Sequence, residues 1–440
     1  MASTRRRLHP AWVVAGVAFL ALVGAAGFRA APSVMMVPMQ EEFGWSRATL
    51  STAVAVNLVL FGLTAPFAAA LMERFGIRAV TSTALAVVAA GAGLSVFVVA
   101  PWQIVLTWGL LIGLGTGSMA LVFAAVVTDT WFAHRRGLVS GVLTAGSATG
   151  QLVFLPLMAV LTERYGWRAA SLLVSAAALV AVGLVLGWLR NSPADLGVER
   201  YGYVPPLGDV QPVPVATGSA SGHGPARRAV ASLLQAGRVR TFWALVAGFA
   251  ICGATTNGLI GTHFIPSAHD HGMAETTAAG LLAVVGVFDV VGTIASGWLT
   301  DRVDPRLLLG GYYAFRGVSL LLLPTLLSAT VHPSIVLFVV IYGLDWVATV
   351  PPTIALCREV FGANGAVVFG WVFAAHQVGA ALAAFGAGYV RDRTGTYTAA
   401  WVAAAALCAV AAVVSVGMRR GTGPRDRDAA VHGEPVRSAR

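Results

Sequence analysis

Four ionisable side chains stand where charge is costly. Arg29, Asp289, Arg316 and Asp345 each interrupt an apolar run about as long as a bilayer is thick. A charged group at the centre of such a run costs about 2.5–3.5 kcal/mol on the insertion scale. Residues that bear this cost pair with one another or serve a function. Counting at about 1.5 Å per residue puts Asp289 roughly 18 Å above Asp301 and Arg316 roughly 15 Å above Arg306. With Asp345 also mid-run, Arg316 is within reach of either aspartate. The three are read as intramembrane charge pairs and coupling groups, with direct substrate contact as the alternative for Arg316.

Arg29 differs, because its neighbours Gly24, Ala25, Ala26, Gly27, Ala30 and Ala31 are all small. Two readings stand side by side: a structural arginine bonded to carbonyls, or a planar fork that holds a carboxylate through two hydrogen bonds. The fork is the sharper expectation. Asn57, Gln151, Asn257, His376 and Gln377 are further mid-run polar groups, either interhelical glue or the lining of a cavity. His376 adds the option of a proton relay against that of a buried neutral imidazole. Arg29, Asn57, Gln151, Asn257, His376 and Gln377 form the expected binding set.

Other patterns carry less. His263, His269 and His271 lack zinc-ligand spacing and are assigned to a solvated loop. Gly113-Leu-Gly115-Thr-Gly117 imitates a nucleotide loop but lies inside an apolar helix, where close packing explains it. Cys252, Cys357 and Cys408 read as small buried hydrophobes rather than a disulfide framework. No metal or cofactor is expected.

The elements that must position these groups follow from composition. The 440 residues are 57% hydrophobic and 11% charged, with mean hydropathy +0.77. Soluble domains carry about 25% charged residues, so a soluble globular chain is excluded. The net charge of +10 comes from arginine alone, with no lysine. The arginines sit in short loops rather than on one soluble face with aromatics, which argues against nucleic acid. Twelve spans are expected at about 11–37, 48–72, 79–100, 103–127, 137–161, 169–189, 241–267, 277–300, 307–328, 334–356, 365–390 and 397–418. Arg5-Arg6-Arg7 opens the inner side, and the run after it, too long for a signal peptide, reads as the first span. Only Arg47, Arg164, Arg168, Arg391 and Arg393 fall in outer loops, so both termini are expected inside. Trp12, Trp45, Trp102, Trp131, Trp167, Trp188, Trp243, Trp298 and Trp401 near span ends read as an interfacial belt.

The chain divides into a six-helix bundle over 1–190, a flexible cytoplasmic linker over 191–240, a second bundle over 241–418 and a disordered tail over 419–440. The bundles repeat each other. Glu73-Arg74 ends span two and Asp301-Arg302 ends span eight; Glu163-Arg164-Tyr-Gly166 ends span five and Asp392-Arg393-Thr-Gly395 ends span eleven. The first pair is offset by 228 residues and the second by 229, and at 229 Gly141 and Gly150 also align on Gly370 and Gly379. A parallel six-helix repeat is a transporter plan with its site between the halves, near the midplane. At the offset of 228 Arg29 falls opposite Asn257.

On these residues the chain resembles the major facilitator superfamily. The family's inner-loop pattern appears as Ala69-x-x-x-Glu73-Arg74-Phe75-Gly76-Ile77-Arg78, and again as Gly297-x-x-x-Asp301-Arg302-x-x-x-Arg306. The resemblance implies an all-α polytopic membrane protein, twelve helices in two pseudo-symmetric bundles, working by alternating access. It also implies an inner gate at Glu73, Arg74, Arg78, Asp301, Arg302 and Arg306. Glu42-Phe-Gly-Trp-Ser-Arg47 and Trp131-Phe-Ala-His-Arg-Arg-Gly137 resemble the monocarboxylate and oxalate/formate branch. There Asp289 matches a helix-eight aspartate, while Thr293 stands where that branch carries arginine. The expected function is secondary transport of a small organic anion across the cytoplasmic membrane, with proton coupling left open. The alternative is efflux of amphipathic or cationic compounds drawn by Asp289 and Asp345; a sensor or enzyme ranks behind both. A monomer in a lipid bilayer is expected.

Overall fold

The computed structural model describes residues 9–119, 121–203 and 225–418, and within helices the side chains of Arg29 and Gln151 are outside the described set. Arg5-Arg6-Arg7, the middle of the 191–240 linker and the 419–440 tail also lie outside it.

Among the described residues the helices make twelve passes. Span one is Pro10–Phe43, span two Arg47–Phe75, span three Ile77–Ser95, span five Arg136–Tyr165 and span six Trp167–Trp188. Span four runs through Pro101–Ile104, Val105–Ile112, Gly113–Gly117 and Leu121–Trp131. Span seven joins Arg240–Gly253, Ala254–Ile260 and Gly261–Asp270; span eight is Glu275–Thr300 and span nine Pro305–Leu326. Span ten is split into Pro333–Asp345 and Val350–Phe361, followed by span eleven, Gly365–Thr394, and span twelve, Thr398–Val416. Ten helices among the described residues are long and apolar enough to cross a membrane on their own. An even number of passes puts the start of span one and the end of span twelve on one face, the terminal face; the opposite one is the distal face.

Local chemistry sets the ends. Ser46 caps span two by accepting from the Thr49 N–H. Gly76 and Gly166 are each a whole joint between two helices, at φ +85° and +81° with ψ near 150–163°. That backbone region is essentially reserved for glycine. In span ten, Pro351 and Pro352 begin the second half, where a missing N–H costs nothing. Val105–Ile112 and Ala254–Ile260 are wound as π-helix, a form that recurs at functional sites.

The halves meet through spans one and seven, two and eleven, and five and eight. Close approach needs small residues. A Cβ on Gly113, Gly115 or Gly117 would come within 2.7–3.0 Å of spans two and three, so the glycine triplet serves packing, as expected. Part of the linker read as flexible is helical: Pro225–Ala236 lies against spans two and eleven, burying Ser232 and Ala236. The tryptophan belt needs correction too. Trp102, Trp188, Trp243 and Trp298 are exposed to the surroundings, but Trp131, Trp167 and Trp401 are buried inside the bundles.

Candidate functional site

A cavity of about 60 Å³ lies between the halves. Its wall takes Pro32 from span one, Asn57 and Phe61 from span two, Trp108 from span four, Asn257 and Thr262 from span seven, and Gln377 from span eleven. Both π-helical stretches contribute, Trp108 from one and Asn257 from the other. The Asn57 amide donates to the Trp108 carbonyl at 2.7 Å. Spans two and eleven touch beside the cavity, where a Cβ on Gly62 would sit 2.6 Å from the Gln377 Cβ. Towards the terminal face Phe61 meets Phe373 and Phe67 meets Trp371, with ring centroids 6.2 and 6.5 Å apart.

Three of the expected binding residues, Asn57, Asn257 and Gln377, are therefore brought together. His376 is not. It is buried against Phe249 and stacked on Phe373, at centroid distances of 4.9 and 5.8 Å, and is absent from the cavity wall. Arg29 precedes Pro32 by three residues, a spacing that keeps two positions on one helix face; its side chain, like that of Gln151, lies outside the described residues. Among the described residues no charged side chain forms the wall. Sequence reasoning missed Trp108, Phe61 and Thr262, since apolar and hydroxyl residues at helical spacing look like ordinary core.

The intramembrane charges occupy a second place, inside the C-terminal half. Arg316 is fully buried and pairs with Asp345, Nε to Oδ2 at 2.6 Å. Its Nη2 donates to the carbonyls of Asp345 at 2.6 Å and Trp346 at 3.2 Å, and Nη1 reaches the Cys252 sulfur at 3.0 Å. Asp289 does not pair with it directly. Its Oδ1 accepts from the Val347 N–H at 3.0 Å and from the Thr293 hydroxyl at 3.1 Å. Ser296 donates to the Ala348 carbonyl at 2.5 Å.

These bonds share one target. The break in span ten frees backbone groups that water cannot reach in a membrane. Spans eight and nine supply a side-chain partner for each of the carbonyls of Asp345, Trp346 and Ala348 and for the N–H of Val347. Arg316 thus pairs with Asp345 and not with Asp289. Thr293, in the place of the expected arginine, fills its position by bonding Asp289.

At the terminal face the expected gate residues split into two groups. Arg306 is buried and pairs with Glu359 at 2.7 Å and Asp304 at 3.3 Å, tying span nine to the second half of span ten. The Arg78 N–H donates to Asn191 at 2.9 Å, and its guanidinium donates to the Leu186 carbonyl. By contrast Arg74 lies over Phe75 and Arg302 over Trp298. Among the described residues no ion pair includes Glu73, Arg74, Asp301 or Arg302.

The distal face holds polar groups that the sequence hid. Arg47, counted only as a loop charge, is 4% exposed and bonds Gln40, Asp270 and Tyr397. His263, assigned to a solvated loop, is fully buried, 3.1 Å from the Tyr397 hydroxyl and 2.7 Å from the Ala384 carbonyl.

Known proteins agree with this architecture. Monocarboxylate transporter 13 of Rattus norvegicus is 30% identical over 90% of this chain and 86% of its own length. An uncharacterized MFS-type transporter of Bacillus subtilis (strain 168), YcxA, is 24% identical over 88% of this chain and 90% of its own. A bacterial homolog of the human lysosomal transporter Spinster, solved inward-facing and unoccupied, superposes with TM-score 0.71 over 94% of this chain and 97% of that one, at 15% identity. The family model of the Major Facilitator Superfamily matches residues 17–384. With twelve passes in two halves around a central cavity, the chain belongs to that superfamily and is a secondary transporter rather than an enzyme.

Proposed function

We propose that this transporter carries a small organic anion, with short monocarboxylates as the substrate class, between the two faces by alternating access. One observation carries the reading: a small cavity at the junction of the halves, walled by Asn57, Asn257, Gln377 and Thr262 and by the rings of Trp108 and Phe61. Amides and a hydroxyl suit the polar end of a short acid, and the rings suit its apolar body. Arg29, on the same face of span one as Pro32, supplies the fixed positive charge that an anion needs. The relative named a monocarboxylate transporter supports the class.

Efflux of cations fits less well. Asp345 is neutralised by Arg316, Asp289 is engaged by Val347 and Thr293, and neither is part of the cavity wall. Proton coupling in this reading centres on Asp289 rather than on release of Arg316, which Asp345 holds. Protonating Asp289 removes the charge that attracts the Val347 N–H and loosens the grip on the break in span ten. The arginine distribution supports reading the terminal face, with both termini, as cytoplasmic, and we take the membrane to be the cytoplasmic one. Glu73, Arg74, Arg78, Asp301, Arg302 and Arg306 then border the inner gate.

Counterflow into proteoliposomes preloaded with unlabelled acid tests the reading. A panel of labelled acids should be exchanged with preference for short monocarboxylates over dicarboxylates and lipophilic cations. Exchange of cations with no exchange of acids would establish the efflux alternative.

A further inference from the structure

We infer that Arg47 and Asp270 form the distal gate, a bolt between the halves that must open once in every transport cycle. The inference rests on the alternating-access reading above, but not on the identity of the substrate. Among the described residues, the ion pair that joins one half to the other is Arg47–Asp270, Nη2 to Oδ1 at 2.7 Å. The remaining pairs stay within a half: Glu42–Arg168 and Asp129–Arg136 in the first, and those of Arg306, Arg316 and Arg391 in the second.

The bolt is built as a unit. Arg47 Nε donates to Gln40 of span one at 2.9 Å, and Nη1 donates to Tyr397, between spans eleven and twelve, at 2.8 Å. Arg391 holds the far side of Asp270 at 2.7 Å. Asp392 accepts from the Arg47 and Ala48 backbone N–H groups at 3.1 and 2.8 Å. The first free N–H groups of span two are thereby capped by a carboxylate from the other half, where the helix dipole favours a negative charge. Charge, cap and guanidinium all cross the same seam.

This arrangement is two-state by construction. Arg47 is buried, so partial separation would leave a desolvated charge and several donors without acceptors, and intermediate openings are disfavoured. Substrate entering the cavity from the distal face has to pass between the ends of spans one, two, seven and eleven, and those are the elements the bolt ties together. Among the described residues no ion pair joins the halves at the terminal face.

Labelling reads the gate directly. Val54 lines the cavity and is buried on span two. Val54→Cys, in a background with Cys252, Cys357 and Cys408 replaced, is exposed to a membrane-impermeant maleimide in right-side-out and in inside-out vesicles. Two orientations keep failure of the topology apart from failure of the gate. Asp270→Asn and Arg47→Gln should each raise the labelling rate from the distal side at least tenfold. Tyr397→Phe, which keeps the charge pair, should raise it two- to threefold. Unchanged labelling from both sides in well-folded Asp270→Asn protein would overturn the inference, even if transport were lost. So would equal acceleration from both sides, which means general loosening. If Arg47→Gln fails to insert, Asp270→Asn and Tyr397→Phe decide the question.

Discussion

Replacing Arg316 by methionine removes the group that holds the break in span ten. The side chain is completely buried, and its loss leaves Asp345 as an unpaired carboxylate together with the carbonyls of Asp345 and Trp346 lacking their donor. Breaking one side of a buried pair costs about 3–5 kcal/mol, which is about two to three and a half powers of ten in the folding equilibrium. For a unit the size of the C-terminal half, that lowers the thermal midpoint by roughly 6–20 °C. Adding Asp345→Leu removes the stranded charge and should recover more than half of the loss. The measurement is thermal unfolding of the purified protein in detergent, followed by tryptophan fluorescence, for the parent, both single variants and the double. If Arg316→Met melts with the parent, or the double variant is no more stable than the single, the pair does not hold the break and the reasoning fails.

Three further variants bear on transport. Arg29→Lys keeps the charge but loses the planar fork, so carboxylate affinity should fall about tenfold while some exchange survives. Arg29→Ala should abolish specific anion binding, and normal acid binding by that variant, measured by substrate-induced thermal shift, would make the arginine structural. Asp289→Asn keeps an acceptor for Val347 but cannot take up a proton. Gradient-driven accumulation should be lost while counterflow continues, whereas undiminished uphill uptake would leave Asp289 as scaffold alone.

The twelve passes were legible because length and hydropathy are local properties that a bilayer enforces residue by residue. Span boundaries drifted by a few residues where capping decides them, as at Phe43, six residues past the expected end at Val37. Asn57, Asn257 and Gln377 were legible for a related reason, since an amide inside an apolar run needs a partner or a cavity. Arg47 was not. Its residue type and place matched a topology charge, and its carboxylate partner lies 223 residues away in the chain. The pairing of Arg316 with Asp345 rather than Asp289 was undecidable by depth counting, because rotation about the helix axes, not height, separates the two. The break in span ten did have a signal in Pro351-Pro352, but a run of apolar residues on both sides masked it.

The glycine joints at 76 and 166 carry a mechanical consequence. A single residue between two helices has no slack, so spans two and three, and spans five and six, turn as welded corners. The corresponding corners of the second half are looser: Asp301–Asp304 between spans eight and nine, and Gly395–Tyr397 between spans eleven and twelve. Span ten is interrupted as well. Span four is interrupted after Gly117 in the same way, so the unequal compliance of the two halves lies at these corners. Under load, deformation collects where the chain has length to give, on the side of the seam that carries Asp289, Arg316 and Asp345.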